Sequence, residues 1–346
     1  MIWQSHLAYH PRIGLTFTPS FKGRLPHESG GYLLRSNSAG FRSEHEFAAE
    51  RAPGVSRVLL FGDSQTAGLG VSNRLRYGDL LEKSTPGLEV FNFAIDGIGV
   101  DQEYLAYLEH SQIEHDLVVI GLYVDDASRV SSPYFRCADP HGHRLYYAKP
   151  YYTLRDNVLS LHQVPVPKEF WTEESVPQQR MPASRKPVGL VSKMLDSMRK
   201  VVPNPTFWRA MMRSRLGAFI RRARRVQRAP EYESPHDAGW QLLSAILAMW
   251  IAKSRTPVLL VPIPVRAFVY GESDPTEYQA RFRELAAATQ CALHDPLPDL
   301  LSYAPAVKHE FFFLDTHLSA SGHQAVAKSL QPTITRLMRK GTSSQQ

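Results

Sequence analysis

The chain has 346 residues, and its 43% hydrophobic and 10% aromatic content is typical of a globular protein with a substantial core. No apolar run reaches the roughly 18 residues that a membrane-spanning helix needs, and the only cysteines, Cys137 and Cys291, give no disulfide framework. The formal net charge of +7 arises in one segment, because residues 180–228 hold 14 Lys or Arg and one acid. The composition therefore disfavours nucleic-acid binding by the protein as a whole.

The first 50 residues are rich in Gly, Pro and Ser and have no hydrophobic period. We therefore predict an extended arm or irregular layer over residues 1–50. The opening residues lack a charged stretch followed by an apolar one, so we expect no signal peptide. This favours a cytoplasmic location and leaves contact with a membrane surface open.

From about residue 57 the sequence alternates between short apolar runs and amphipathic segments. Runs bounded by turn-forming residues predict strands at 57–61, 88–93, 117–124 and 257–265. Helical spacing of apolar residues predicts helices at 101–110, 240–252 and 277–289, and a last one after the segment SASGH. This alternation predicts an α/β fold, a three-layer α/β/α sandwich around a short parallel sheet.

A long interruption, residues 128–236, separates the third predicted strand from the fourth and is rich in Pro, Tyr and Arg. A connection of this length is typical of a functional insertion or lid. We therefore predict three parts. They are the arm at 1–50, an α/β domain formed by 51–127 and 237–340, and an inserted basic lid subdomain at 128–236.

Residues 209–228 of this insertion have the pattern of a basic amphipathic helix. Met212, Leu216, Phe219 and Ile220 share one face, and arginines occupy much of the rest. Such a helix can lie on anionic lipid or bind an acidic polymer. The interpretation we favour is a lid helix that packs its apolar face on the core, with its arginines in water. No helix-turn-helix or zinc motif accompanies the charge, so we expect no nucleic-acid partner.

Polar residues follow the predicted strands at their ends. Gly62-Asp63-Ser64 follows the first strand, and FFFLDTHLSASGH near the C-terminus supplies Asp315 and His317. Ligands bind beyond the carboxyl ends of strands in open α/β sheets. A serine hydroxyl needs a base to accept its proton, and the base needs a carboxylate to fix its tautomer. Ser64, His317 and Asp315 fit the roles of nucleophile, base and orienting acid.

The segment NFAIDGIG after the second strand offers Asn92 and Gly97. The backbone N–H groups of Ser64 and Gly97 are candidates to bind a developing oxyanion, each such donor being worth about 3 kcal/mol. Gly97 suits this role because it has no side chain between backbone and substrate, and a simple turn is the alternative. Asp63 and Asn92 are expected to brace the loops.

These segments together resemble the SGNH (GDSL-type) hydrolase family. Its first block matches FGDSQTAG, its second NFAIDG and its last DTHLSASGH, so the resemblance covers roughly residues 57–126 and 256–335. The segment NSAGFR at 37–42 also resembles bacterial members linked to surface-polysaccharide genes. The resemblance implies an SGNH/flavodoxin-like sheet and a serine esterase.

Carried over residue by residue, the family pattern implies Ser64 as nucleophile, Gly97 as an oxyanion donor, His317 as base and Asp315 as its partner. The pair Asp-x-His resembles relatives that handle acetyl groups on polysaccharides. The family's third block ordinarily supplies an asparagine donor, but GLYVDDAS has Asp125 at that position. A carboxylate accepts hydrogen bonds and repels an oxyanion. Asp125 is therefore protonated through burial, or another donor replaces it, or catalysis is weakened.

Two other groups of residues are weaker candidates for chemistry. His323 begins the last predicted helix, and we favour a packing role there over catalysis. The segment CADPHGH brings Cys137, Asp139, His141 and His143 together, but their spacing matches no familiar metal site. A solvated loop is the favoured interpretation.

The residues at the strand ends predict ester hydrolysis through an acyl-enzyme on Ser64. The family resemblance implies that the substrate is a short O-acyl ester on a carbohydrate or a small molecule. This chemistry requires no metal or organic cofactor. Two alternatives stay open. One is an O-acyltransferase that uses the same triad, and the other is a non-catalytic module that binds a glycan or lipid. The sequence leaves the oligomeric state undetermined.

Overall fold

A parallel β-sheet lies at the centre of the protein, whose computed structural model describes residues 6–138, 144–176 and 229–343. The strands, in chain order, are β1 (Leu7–His10), β2 (Gly14–Phe17), β3 (Lys22–Leu25), β4 (Tyr32–Arg35), β5 (Ser56–Gly62), β6 (Leu88–Asn92), β7 (Leu117–Tyr123), β8 (Tyr134–Ala138), β9 (Arg144–Ala148), β10 (Tyr151–Arg155), β11 (Val158–His162), β12 (Phe170–Thr172), β13 (Val258–Ile263) and β14 (Ala292–Leu293).

The α-helices of the described residues are α1 (Ser64–Ala67), α2 (Tyr77–Ser84), α3 (Val100–His110), α4 (Ala238–Lys253), α5 (Arg266–Val269), α6 (Thr276–Thr289), α7 (Leu297–Leu301), α8 (Pro305–Lys308) and α9 (Ala320–Ser343). The described residues also form the 3-10 helices Val124–Ser131 and Pro230–Tyr232. Among these helices, none combines the length and the apolar composition that a membrane span requires.

The central sheet has the strand order β6-β5-β7-β13-β14, and every neighbouring pair is parallel. The four predicted strands and the four predicted helices are confirmed, as is the α/β fold class. The two-residue strand β14 was not predicted, because its sequence is too short to carry a pattern. The order of the strands reverses between β5 and β7, and this is where open α/β sheets bind ligands.

Helices cover both faces of the sheet, as the side chains of adjacent residues on β5 show. Phe61 contacts Tyr107 of α3 and Trp250 of α4, with ring centroids 5.8 and 5.3 Å away. Leu60 points to the opposite face, where α2 lies against it at Gly78. The buried strands therefore carry apolar residues on both faces, which is why they read as continuous apolar runs.

The N-terminal arm is extended, as expected, but its strands pair into two antiparallel hairpins, β1–β2 and β3–β4. Strand β2 is buried throughout, and Leu15 and Phe17 join the main hydrophobic core. The Gly- and Pro-containing segments that obscured a period in the sequence lie in and between these short hairpins.

The insertion is described in part. Strands β8, β9 and β12 form an antiparallel sheet, and β10–β11 form a hairpin. The helix predicted at 209–228 and the residues Asp139, His141 and His143 lie outside the described residues.

Candidate active site

The turn after β5 holds Ser64 at the carboxyl edge of the sheet. Asp63 caps α1, since its Oδ1 accepts a hydrogen bond from the Gln65 N–H at 3.0 Å, as expected of a bracing residue. Thr66 Oγ1 donates to the Gly121 carbonyl on β7 at 3.0 Å and lies 2.8 Å from the Tyr77 hydroxyl. Ser64 itself is only 5% exposed. The nucleophile candidate is therefore fixed by buried hydrogen bonds to the sheet.

The structure brings the three predicted triad residues together across more than 250 positions of sequence. Ser64 Oγ lies 2.9 Å from His317 Nε2, and His317 Nδ1 lies 3.0 Å from Asp315 Oδ2. Because the carboxylate can only accept, the hydrogen on His317 is at Nδ1, and Nε2 is left to accept the Ser64 proton. The arrangement is that of a serine nucleophile with its base and orienting acid.

The short spacing from Asp315 to His317 is made possible by an unusual backbone conformation. Thr316 between them has φ = 79°, a left-handed value that β-branched residues rarely adopt. Gln65 holds this turn, because its Nε2 donates to the Thr316 carbonyl at 3.2 Å and its Oε1 accepts from the Leu318 N–H at 3.0 Å. Sequence reasoning missed Gln65, although it directly follows the nucleophile.

A further histidine, His27 from the arm, contacts the triad. Its Nε2 lies 3.2 Å from Asp315 Oδ2, and its Nδ1 accepts from the Ser29 N–H at 3.2 Å. Since Nδ1 is an acceptor, the hydrogen is on Nε2 and is donated to Asp315. The ring also packs against Phe313 with centroids 4.7 Å apart. His27 gave no signal in the sequence, because it lies 288 residues from its partner in a segment without a motif.

The charges of the triad support one another. Burial alone would raise the pKa of Asp315, but hydrogen bonds from His317 and His27 hold this pKa well below its usual range. Burial alone would lower the pKa of His317, but its hydrogen bond to Asp315 outweighs that effect and the pKa is raised. Asp315 is thus ionised at neutral pH and stabilises the imidazolium that forms when His317 takes a proton.

Two backbone donors are available near the serine. Within the described part of the chain, the N–H groups of Ser64 and Gly97 make no hydrogen bond. Gly97 has φ = 81°, and an added Cβ would collide with the ring of Phe135. Glycine is therefore required at this position by both the backbone and its neighbour. Both residues line the same cavity as His317.

Asp125 lies in the 3-10 helix after β7, and its side chain is exposed and not buried. The described residues that line the cavity do not include it. The interpretation that relied on burial of Asp125 is therefore wrong. Arg129, from the same 3-10 helix, reaches the loop that carries Gly97, and its Nη1 donates to the Ile98 carbonyl at 3.2 Å. Arg129 does line the cavity.

The cavity around Ser64 has a volume of about 560 Å³ and is built by three separate regions of the chain. The arm contributes Leu7, Leu25, His27 and Tyr32, among others. The sheet edge contributes Ser64, Gly97 and His317 together with Leu69 and Asp96. The insertion contributes Phe135, Arg136, Cys137 and Tyr147. The mixture of apolar, aromatic and charged side chains suits a small organic ester.

The arm is tied to the nucleophile by a fully buried guanidinium. Arg42 donates to the carbonyls of Ala67 at 2.8 Å and Gly68 at 2.6 Å, directly after α1, and to Asn73 Oδ1 at 2.8 Å. Burial lowers the pKa of Arg42 to about 10, so its charge is retained at neutral pH. Arg42 belongs to the segment 37–42 noted in the sequence.

The remaining candidates have structural roles. His323 is fully buried, its Nδ1 accepts from the Tyr77 N–H at 3.2 Å, and burial lowers its pKa to about 3. Asn92 braces the loops as expected, since it donates to the Thr66 carbonyl at 3.1 Å. Among the described residues, one group could hold a metal ion, namely His27, Glu28 and Asp315. A cation there would compete with the two histidines that already donate to Asp315.

The comparison with known protein families gives one match. The model of the GDSL-like lipase/acylhydrolase family matches residues 60–325, which span β5 to α9 and include all three triad candidates. No curated protein matches the chain.

Several solved structures are distantly similar. The chain is 10% identical to a member of the lipolytic protein G-D-S-L family from Veillonella parvula, with TM-score 0.40 over 82% of this chain and 100% of that one. The esterase EstA from Pseudoalteromonas sp. is 12% identical, with TM-score 0.40 over 82% and 99%. The acetylxylan esterase from Geobacillus stearothermophilus is 13% identical, with TM-score 0.39 over 83% and 96%. The family model matches well over half of the length of this chain. The chain therefore belongs to the GDSL-like lipase/acylhydrolase family.

Proposed function

We propose that the protein is a serine ester hydrolase that removes a short O-acyl group, such as acetyl, from a carbohydrate or another small molecule. The observation that carries the proposal is the hydrogen-bond chain from Ser64 Oγ through His317 to Asp315, with links of 2.9 and 3.0 Å. Ser64 and His317 line a cavity. A relic of the fold used only for binding would have no need of this alignment.

In the proposed reaction Ser64 Oγ attacks the acyl carbonyl carbon while its proton passes to His317 Nε2. The carbonyl oxygen becomes an oxyanion that accepts hydrogen bonds from the N–H groups of Ser64 and Gly97. As the tetrahedral intermediate collapses, the ester bond breaks and His317 gives its proton to the leaving alcohol. Water, with its proton taken by His317, then attacks the acyl-enzyme. The carboxylate of the product leaves and Ser64 regains its proton.

The same residues would serve an O-acyltransferase if a sugar hydroxyl took the place of water in the second step. Analysis of the products separates the two activities, since a hydrolase releases free acetate whereas a transferase moves the acetyl group to the acceptor. We place hydrolysis first because water needs no second binding site.

The test is turnover of p-nitrophenyl acetate by the purified protein, together with labelling by a fluorophosphonate. We expect Ser64→Ala to lower kcat by about 10³-fold or more and to abolish labelling, because the covalent step is lost. Ser244→Ala is the matched control, since the Ser244 hydroxyl lies on α4 and donates to the Gln241 carbonyl within its own helix. Labelling that survives Ser64→Ala would contradict the proposal.

A further inference from the structure

Asp96 is a buried acid that the proposed reaction does not use. It directly precedes Gly97 in the loop after β6, is 7% exposed, and lines the same cavity as Ser64 and His317. Neither of its carboxylate oxygens has a hydrogen-bond partner in the described part of the chain. Its side chain is thus an unpartnered acceptor more than nine-tenths buried at the substrate cavity.

A buried carboxylate without a hydrogen-bond partner destabilises the folded protein unless a bound molecule supplies a donor. Buried polar atoms in folded proteins nearly always have partners, and an unpaired buried carboxylate costs more than a neutral group. Burial raises the pKa of Asp96 to about 6 against the opposing charges of Arg42 and His317, so the carboxylate form still predominates above that pH. A donor supplied by the bound substrate would satisfy the carboxylate.

The charges around the cavity select the kind of donor. Arg42 is the nearby charge that acts most strongly on Asp96, and Arg129 and Arg136 line the cavity as well. A cationic donor would be repelled by these guanidinium groups, whereas a neutral hydroxyl would not. An unsubstituted acyl chain has no donor at all. The hydroxyl must therefore come from the alcohol half of the ester.

The walls of the cavity suit a hydroxyl-bearing ring. The rings of Tyr32, Phe135 and Tyr147 line the cavity and offer flat apolar surfaces to the C–H face of a sugar. A carboxylate can accept hydrogen bonds from two hydroxyls on neighbouring carbons, which is the pattern that a sugar ring presents.

We propose that Asp96 accepts hydrogen bonds from free hydroxyls of the alcohol half of the substrate, and so makes partly acylated sugars the preferred esters over esters of plain alcohols. This inference rests on the proposed esterase function. Asp96 is a specificity-determining residue in this scheme and has no part in the covalent steps.

The test compares two acetate esters of matched shape, methyl 6-O-acetylglucopyranoside and cyclohexylmethyl acetate, of which only the first has ring hydroxyls. The measured quantity is the ratio of their kcat/KM values. We expect the wild-type protein to favour the sugar ester, and Asp96→Leu to lower the ratio by 10-fold to 100-fold, as expected for loss of hydrogen bonds to a charged group. Asp96→Asn keeps one acceptor oxygen and should lower the ratio less.

Asp295→Asn is the control. Asp295 is another acid whose pKa is raised by burial, but its carboxylate accepts hydrogen bonds from Tyr278 and Gln279 and does not line the cavity. Its ratio should stay within twofold of the wild type. If Asp96→Leu melts cooperatively and leaves the ratio of the two kcat/KM values unchanged, this inference is overturned and the proposed function is not. Failure of the wild type to hydrolyse either ester overturns the proposed function and this inference with it.

Discussion

The two sides of the proposed active site are held in place by different kinds of contact. Ser64 is 5% exposed and is fixed by its neighbours in sequence and by the buried sheet. Asp315, by contrast, has 39% of its side chain exposed. Its loop is held by Gln65, by His27 and by Glu28, whose Oε1 accepts from the Asp315 N–H at 3.1 Å. The proposed nucleophile is therefore positioned by its own turn and the buried sheet, whereas the proposed base and its acid are positioned by side chains of other loops.

The nucleophile side should be the more sensitive to a small change. We expect Gly97→Ala to lower kcat at least 100-fold, because the added Cβ collides with Phe135 and displaces an oxyanion donor. Gly54→Ala provides the control, since Gly54 has a similar φ of 76° but open space around its Cβ. Equal losses in the two variants would mean that backbone strain alone accounts for the effect. The measurement is kcat with p-nitrophenyl acetate.

The second-largest effect is expected at Gln65, whose side chain connects the Ser64 turn to the Asp315–His317 loop. Gln65→Leu removes both hydrogen bonds to the Asp315–His317 loop and leaves the buried Leu318 N–H without an acceptor. We expect kcat to fall about 10-fold to 100-fold and the free energy of unfolding to fall by about 2 kcal/mol. Gln279→Leu removes a comparable hydrogen bond, to Asp295 at 2.6 Å, away from the site. It should lower stability without lowering kcat.

The contact of His27 with Asp315 should have a smaller effect and a distinctive pH signature. His317 acts as base only when neutral, so activity is lost as pH falls through its raised pKa, and the acid limb of the kcat/KM profile should lie above 6.5. In His27→Ala the Asp315 charge acts on His317 alone, which raises the pKa of His317 further. We expect a 3-fold to 10-fold loss of kcat/KM at pH 7 and an upward shift of the acid limb.

His236→Ala, at an exposed position, should leave the limb in place. If His27→Ala lowers the rate but does not move the limb, then His27 acts through packing against Phe313 and not through its hydrogen bond.

The smallest effect is expected at Asp125. Because its side chain is exposed and does not line the cavity, Asp125→Asn should change kcat less than twofold. A rise of tenfold or more would mean that the asparagine reaches the oxyanion, as the family pattern implies. Steady-state kinetics with p-nitrophenyl acetate decides between these outcomes.

The sequence predicted the features that have a local pattern, and it missed the contacts between distant segments. The strands that carry Ser64 and the loops beyond them have local patterns, namely apolar runs that end in turn-forming residues. The contact of Asp315 with His27 joins residues 288 positions apart and leaves no local trace. Asp125 shows the opposite limit. It occupies a motif position, but its side chain is exposed and is not among the described residues that line the cavity.

Arg42 bears on where the catalytic unit begins. The family model starts at residue 60, and the sheet starts at Ser56, so a shortened chain from residue 51 would retain the entire sheet and the triad. That chain would lose the guanidinium that binds the carbonyls at the end of α1, together with the arm's share of the cavity wall. The arm, which lies outside the family alignment, therefore supports the turn that carries Ser64 and forms part of the cavity wall.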